Sequence, residues 1–386
     1  MVHDAAALQR VLPAWEELVQ QAIEPNPLYE PWMLLPALRA RPSADFRCAL
    51  AWTAPGKPGG PSALGGLFPF ERVSRFKGLP VRAVRSWRHR SWMLGTPLLR
   101  GESARECLRA LFDWVGATGR ASLIEFEYTP ADGPFHGVLA DVSRERDAIA
   151  VTTSGFTRAL LRKGTGEASG TEAALAGELR KSLRRKERRL GEQGALSRVA
   201  LRAGDDVHRW IDEFLRLEAS GWKGRRRSAL ACSEQDRRFA TEMLAGAFAR
   251  GRLQMLGLDF DGRPIARCCN LIAGDASYAY RCAYDEDFAR FSPGVMAEVD
   301  TMRHFQTLPG VRWMDSLTDP DNMTLNRLWN DRRTIQTVLV GIGPWGGLWA
   351  SLLPLLRWAK RCGGLALRMA RWSARKAAAP GGSAKA

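Results

Sequence analysis

Apolar residues recur along this chain in two kinds of run. Residues 8–20 and 31–39 carry them at helical spacing, and the turn sequence Asn26-Pro27-Leu28-Tyr29 separates the two. Residues 46–54 and the run ALGGLFPFERVS have the length and content of strands, split by the Gly/Pro loop APGKPGGPS. A basic, aromatic loop at 85–99 follows, then a predicted helix at 103–117 and a strand at 122–128. The second half repeats this order. Helices are predicted at 205–219 and 233–250, strands at 253–260, 265–272 and 277–283, a helix at 294–305 and a strand at 311–316. The recurrence of helix, helix, strand, strand, strand or loop, helix, strand predicts a duplicated α/β unit.

A Gly/Ser/Thr-rich stretch at 163–171 reads as the joint between the halves. The expected layout is a first domain over 1–160, a linker over 161–174 and a second domain over 175–340. A basic amphipathic helical tail follows over 341–376, and a disordered end over 377–386. At 386 residues the chain has room for two cores of ordinary size.

Charge adds to this picture. Lysine and arginine total 57 against 41 acidic residues, for a net charge of +16, which calls for an anionic partner or surface. Two helical wheels concentrate the excess. On the predicted helix 171–192, Leu175, Leu179, Leu183 and Leu190 fall within about 80° of one another. Arg180, Lys181, Arg184, Arg185, Arg188 and Arg189 oppose them. This is either a solvated face or a phosphate-facing ridge. Taken as one helix from Leu348, the tail places Arg357, Lys360, Arg361, Arg368, Arg371 and Arg375 within an arc of about 100°. Most of its leucines and tryptophans lie opposite. Such a helix suits an anionic membrane surface or its own protein's flank.

Other chemistries find little support. The seven cysteines form no CxxC pair, which predicts reduced thiols in a cytosolic protein, with Cys268-Cys269 simply in the core of a strand. The five histidines have no metal-ligand spacing, and no metal is expected. GxSxG and P-loop motifs are absent. The N-terminus lacks the continuous apolar core of a signal peptide, and no stretch has the length and apolarity of a confident membrane span.

The most informative stretch runs from Phe214 to Gly294. It holds LEASGWKG, a helix, strands joined by Asp261-Gly262, and AYDEDFARFSPG opening a new helix. A strand that runs into a loop and a helix N-terminus can hold an anionic ligand on free N–H groups. LEASGWKG, RKSLRRKERRLGEQG, the strand pair around Asp261-Gly262, AYDEDFARFSPG and the first-half loop RSWRHRSWMLGTPLL resemble the GNAT acyltransferase superfamily. More closely, they resemble the CelD/BcsL acetyltransferases linked to cellulose and exopolysaccharide synthesis. That family is similar in turn to the Fem aminoacyl transferases, which carry two GNAT-like domains. The resemblance implies tandem GNAT-like α/β domains, each a mixed, mostly antiparallel sheet flanked by helices. It also implies acetyl-CoA or another acyl-CoA as co-substrate.

The implied acceptor is a sugar, nucleotide-sugar or lipid-linked saccharide, and the implied location is the cytoplasm or the inner face of the cytoplasmic membrane. Two rivals stand beside this reading: a Fem-like transferase using charged tRNA, and a non-catalytic subunit of a polysaccharide-synthesis complex. The superfamily's phosphate motif, Gln/Arg-x-x-Gly-x-Gly/Ala, is replaced here by Arg290-Phe291-Ser292-Pro293-Gly294-Val295-Met296-Ala297. Gly294 and the N–H groups of Val295 and Met296 would then cradle the pyrophosphate, beside Arg290 and Ser292. An oxyanion donor is expected near Ala283–Tyr284. Tyr284 is a candidate acid for the leaving thiolate, Asp285 and Glu286 are candidate bases or caps, and Glu218 is a base or the partner of Lys223 or Arg225. His89, Trp222, Lys223, Asp315 and Arg332 are candidate acceptor-site residues, the last with Asn326 and Trp329 behind it.

Overall fold

A computed structural model of the chain describes residues 1–54, 62–89, 92–118, 121–163 and 177–353. The first half contains α1 (Ala5–Gln9), α2 (Leu12–Gln21), α3 (Pro31–Ala40), β1 (Phe46–Trp52), β2 (Leu64–Val73), β3 (Ala83–Ser86) and β4 (Leu98–Leu99). It continues with α4 (Ala104–Thr118), β5 (Leu123–Pro130), α5 (Pro134–Glu145) and β6 (Ile149–Arg162). The second half contains α6 (Gly177–Gly191), β7 (Leu196–Ala200), α7 (Val207–Ser220), α8 (Trp222–Arg225), α9 (Glu234–Ala249), β8 (Leu253–Phe260), β9 (Arg263–Ala273) and β10 (Ala276–Tyr284). It ends with α10 (Pro293–Thr307), β11 (Trp313–Asp315), α11 (Met323–Leu328) and β12 (Asp331–Gly341). The linker stretch lies largely outside the described residues, as do the first turn of the basic helix and the chain from 354 onward.

All these strands join one mixed sheet, in the order β1-β2-β3-β5-β12-β6-β11-β10-β9-β8-β7, with β4 attached to β2. Its register exposes the duplication. In the first half β3 runs parallel to β5 over Ala83–Arg85, and in the second β10 runs parallel to β11 over Ala276–Tyr278. Each parallel pair is bridged by a helix, α4 or α10. The closing strands then cross over: β12 from the second half pairs with β5, while β6 from the first half pairs with β11. β6 and β12 pair with each other from Ile149 to Leu160 and make the seam.

The halves also share a core. Trp15, Leu34 and Trp87 belong to the same buried cluster as Phe214, Phe239 and Leu244. Full burial of side chains this large stabilises by about 1.5–3 kcal/mol each. α3 and α9 approach closely at Gly246, where an added Cβ would lie 3.3 Å from Trp32 Cβ. Asp206 caps α7 by accepting from the N–H groups of His208 and Arg209, and Ser233 caps α9 by accepting from Asp236. These caps fix where α7 and α9 begin; α7 carries Glu218, and the short α8 after it carries Trp222 and Lys223, to the site described below.

Candidate active site

β10 and β11 separate after three paired residues. Beyond Tyr278 the chain of β11 turns away at Asp315–Leu317, so the edge of β10 from Ala279 onward opens into a cleft. One extra residue, Tyr280, sits between the paired Ala279 and Arg281 and bends the strand there. The cleft has a volume of about 1190 Å³ and takes walls from both halves, including His89, Trp92, Trp222, Phe239, Tyr284 and Glu298.

Ladder parity decides which backbone groups face this cleft. The N–H of Asp285 donates to Ile265 O, and Tyr284 lies opposite Ala266, Ala283 opposite Arg267 and Cys282 opposite Cys268. In an antiparallel ladder hydrogen-bonded and non-hydrogen-bonded pairs alternate. Ala283 therefore spends its N–H on β9, while the N–H groups of Cys282 and Tyr284 point to the open edge. Of the expected pair Ala283–Tyr284, it is thus the Tyr284 N–H that faces the cleft, together with that of Cys282. Lys223 confirms the parity, since its Nζ donates to Cys282 O at 2.8 Å from the cleft side.

Of the two roles the sequence leaves open for Glu218, base or ion-pair partner, the structure shows the second, with Lys223. The Glu218 side chain is fully buried and accepts from Arg281 Nη1 at 2.7 Å, Lys223 Nζ at 3.3 Å and the Leu230 N–H at 2.7 Å. Burial pushes its pKa up, but Arg281, Lys223 and the Leu230 N–H outweigh that and hold it below the ordinary carboxylate value. Glu218 thus organises two cations, and Lys223 is committed to Glu218 and Cys282 instead of standing ready for a substrate anion.

The carboxyl with the properties of a base is Glu298, on α10. It is buried at the cleft floor, its Oε2 has no hydrogen-bond partner, and burial pushes its pKa up to about 7 against the smaller pulls of the Cys268 thiol, Lys223 and the Cys282 thiol. The sequence held a signal for it. Glu298 shares the helical stripe of Val295, Met302 and Phe305, an acid at an apolar position.

Asp285 caps the 3-10 turn Glu286–Phe291, accepting from the Asp287 N–H at 3.1 Å, and pairs with Arg263. Glu286 accepts from the Trp222 N–H at 2.7 Å and pairs with Arg225 at 2.8 Å, and these contacts lower its pKa. Both acids are occupied as caps and pairs. Tyr284 is raised above the ordinary tyrosine value by burial, then by Glu286 and Cys282, and so keeps its proton. Gly294 is needed beside it, because a Cβ there would lie 2.8 Å from Tyr284 Cδ1.

The expected phosphate cradle is only partly present. The N–H groups of Val295 and Met296 both donate to Ser292 O at 3.1 Å, and Pro293 has none, which leaves Gly294 in that turn. The Met296 side chain is core. Ser292 takes a left-handed conformation with φ of 59° and accepts from Lys186 Nζ at 2.7 Å. Lys186 was not singled out by the sequence reading. Arg290 lies over the Phe291 ring and donates to Gln193 Oε1 at 3.2 Å.

Of the acceptor-site candidates, His89, Trp222 and Lys223 reach the cleft. His89 packs 4.6 Å from the Phe239 ring of the other half, and Trp222 is 43% exposed with Arg226 over its face. Asp315 does not reach it. It is fully buried and paired with Arg158 at 2.6 Å, a contact that holds the seam. Arg332 donates to the carbonyls of Asn326, Trp329 and Asp331, and so caps the end of α11. The flanking Arg90 and Ser91 lie outside the described residues.

The model of the acetyltransferase (GNAT) domain family matches residues 177–323. No curated protein matches the chain in sequence. A conserved protein of unknown function from Bacteroides thetaiotaomicron has a similar structure, with TM-score 0.54 and 11% identity over 86% of this chain and 97% of that one. FemX gives TM-score 0.54 and 10% identity, covering 84% of this chain and 95% of its own. The C-terminal domain of a candidate lysylphosphatidylglycerol synthetase from Agrobacterium fabrum gives 0.52 and 14%, covering 89% and 96%. Residues 177–323 are thus similar to the GNAT acetyltransferase domain family, and the fold of this chain is shared along nearly the whole length of these structures.

Proposed function

We propose that the chain is an acyltransferase. It takes an acyl group from an acyl-CoA thioester and delivers it to an amine or hydroxyl of an acceptor in the cleft between the halves. The observation that carries this reading is the pairing of an open β10 edge with a near-neutral buried acid, Glu298, on the cleft floor. The Cys282 N–H is the candidate donor to the developing oxyanion. Glu298 takes the acceptor's proton, directly or through one water, as the acceptor's bond to the acyl carbon forms. The C–S bond breaks, and Tyr284 supplies the proton to the departing thiolate. Gly294, Ser292 and Lys186 form the edge against which the donor's phosphates would lie.

The proposed acceptor is a sugar, nucleotide-sugar or lipid-linked saccharide, in keeping with the resemblance to CelD/BcsL proteins and a role in exopolysaccharide or envelope synthesis. Residues 343–353 are helical and expose Trp345, Leu348 and Leu352. The basic sequence after them supports work at the inner face of an anionic membrane. One observation favours a second reading. The first turn of α10 spends the Val295 and Met296 N–H groups internally, which suits a donor other than coenzyme A, such as the charged tRNA of a Fem-like transferase. The third reading, a non-catalytic subunit, predicts no donor at all. Thiol release from acetyl-CoA in the presence of amino-sugar and phosphorylated-sugar acceptors tests the proposal. Release abolished by Glu298→Gln supports it, and release unchanged by that substitution excludes the assigned base.

A further inference from the structure

Cys268 and Cys282 face each other across β9 and β10, with Sγ atoms 2.9 Å apart. The ladder parity derived above makes them a non-hydrogen-bonded pair. In such a pair Cα atoms stand about 4.5 Å apart and side chains approach most closely. That separation falls inside the range a disulfide spans. Among the described residues the other cysteines lack this arrangement: Cys269, one residue along, points to the opposite core.

We infer that Cys268 and Cys282 form an oxidisable dithiol at the cleft floor, closing to a cross-strand disulfide when a peroxide enters the cleft. The two thiols differ in access. Cys282 is half-buried and lines the cleft, whereas Cys268 is fully buried. Burial and the neighbouring Cys282 and Glu298 hold the Cys268 thiol far above its ordinary pKa, so Cys282 meets the oxidant first. Its thiolate attacks the peroxide, which leaves a sulfenic acid and releases an alcohol, or water from hydrogen peroxide. Cys268 sulfur then attacks the sulfenic sulfur. The S–S bond forms, the S–O bond breaks, and the Cys268 proton passes to the departing hydroxide, directly or relayed by Glu298, so that one water leaves. Two thiols are oxidised and one peroxide is reduced. Two exchanges with a small thiol reverse the change.

The disulfide would act on the site through Glu298, whose carboxylate lies against both thiols. Oxidation removes these two weak donors and pins β9 to β10 beside the bend at Tyr280. The same three side chains are of types that ligate a soft cation, but a tetrahedral ion with bonds of about 2.3 Å holds its sulfurs roughly 3.8 Å apart, wider than here. The existence of the dithiol is independent of the acyltransferase reading; only its effect on transfer rests on it.

The test treats full-length reduced protein with hydrogen peroxide, blocks remaining thiols by alkylation and maps the peptides. The expected result is a linked peptide pair containing Cys268 and Cys282, a mass lower by two hydrogens, and full reversal by dithiothreitol. Cys268→Ala should leave a sulfenic acid at Cys282 that dimedone traps. Alkylation of both cysteines at a dose that oxidises exposed Cys232 would overturn the proposal, as would protection of the pair by added Zn²⁺ alone. Acetyl-CoA titration of both forms separates the two claims. Weaker binding in the oxidised form supports the coupling. A linked pair formed in protein that binds no acyl-CoA in either form leaves the dithiol standing and counts against the acyltransferase.

Discussion

Lys223 Nζ donates to the carbonyl oxygen of Cys282 at 2.8 Å, tying the turn after α7 to the free edge of β10. Without a cation there, a backbone carbonyl on the splayed edge would lose its partner, and Glu218 would keep Arg281 as its sole cation. Lys223→Met is expected to destabilise the fold by about 1–3 kcal/mol. It should also weaken donor binding more than acceptor binding. Chemical denaturation and paired titrations check both, and a change confined to acceptor KM would contradict this placement.

Glu218 is expected to behave as a structural ion. Glu218→Gln leaves the half-buried Arg281 without the carboxylate it pairs with, which costs about 3–5 kcal/mol when one partner of a buried pair is removed. The pH dependence has a definite sign. A carboxylate whose folded pKa is lowered adds stability above its unfolded pKa, and that stability fades as pH falls through the folded value. Wild type should therefore lose its advantage over Glu218→Gln in acid, as followed by thermal unfolding from pH 7 to pH 3.

Glu298 carries the opposite sign. Its folded pKa of about 7 lies above the ordinary carboxylate value of 4.5. The native state is therefore favoured by the protonated form below the unfolded pKa, and that contribution is lost as pH rises through about 7. Glu298→Gln should stabilise the protein at pH 8 by on the order of 3 kcal/mol and by nothing at pH 4. The same substitution should cut turnover by about 10²–10⁴-fold and erase a rise in kcat centred near neutral pH. Loss of turnover without loss of that limb would place the base elsewhere.

The exposed stripe at Trp345, Leu348 and Leu352 sits at positions i, i+3 and i+7 of the helix at 343–353. Its other side buries Ala350 and Leu353 against Leu123 and Leu339. Replacing Trp345 and Leu348 with serine should therefore leave folding intact. Co-sedimentation with phosphatidylglycerol vesicles should drop, and wild-type binding should weaken with salt. Equal sedimentation with neutral phosphatidylcholine vesicles would contradict an electrostatic surface.

The second half was legible in the sequence because its elements satisfy local rules. Strand β8 matches its expected span, and β9, β10 and α10 differ from theirs by one or two residues at either end. The seam was not legible. β6 begins IAVTTSG, with mostly exposed positions and no clean alternation, and β12 begins Asp331-Arg332-Arg333, so neither announces a buried partner. Their pairing joins residues far apart in the chain, and local pattern holds no information about it. The same gap explains the site. Glu218 and Lys223 are close enough in sequence to be expected as partners, but Cys282 looks unrelated to them, and the parity that turns it toward the cleft follows from the register with β9.

Calorimetric titration with acetyl-CoA and longer acyl-CoAs tests the proposed donor most directly. Saturable binding to wild type is expected. Gly294→Trp, folded by circular dichroism, should lose it, since any Cβ at that position already crowds Tyr284. Folded wild-type protein that gives no binding heat with any acyl-CoA would contradict a coenzyme A donor in this cleft.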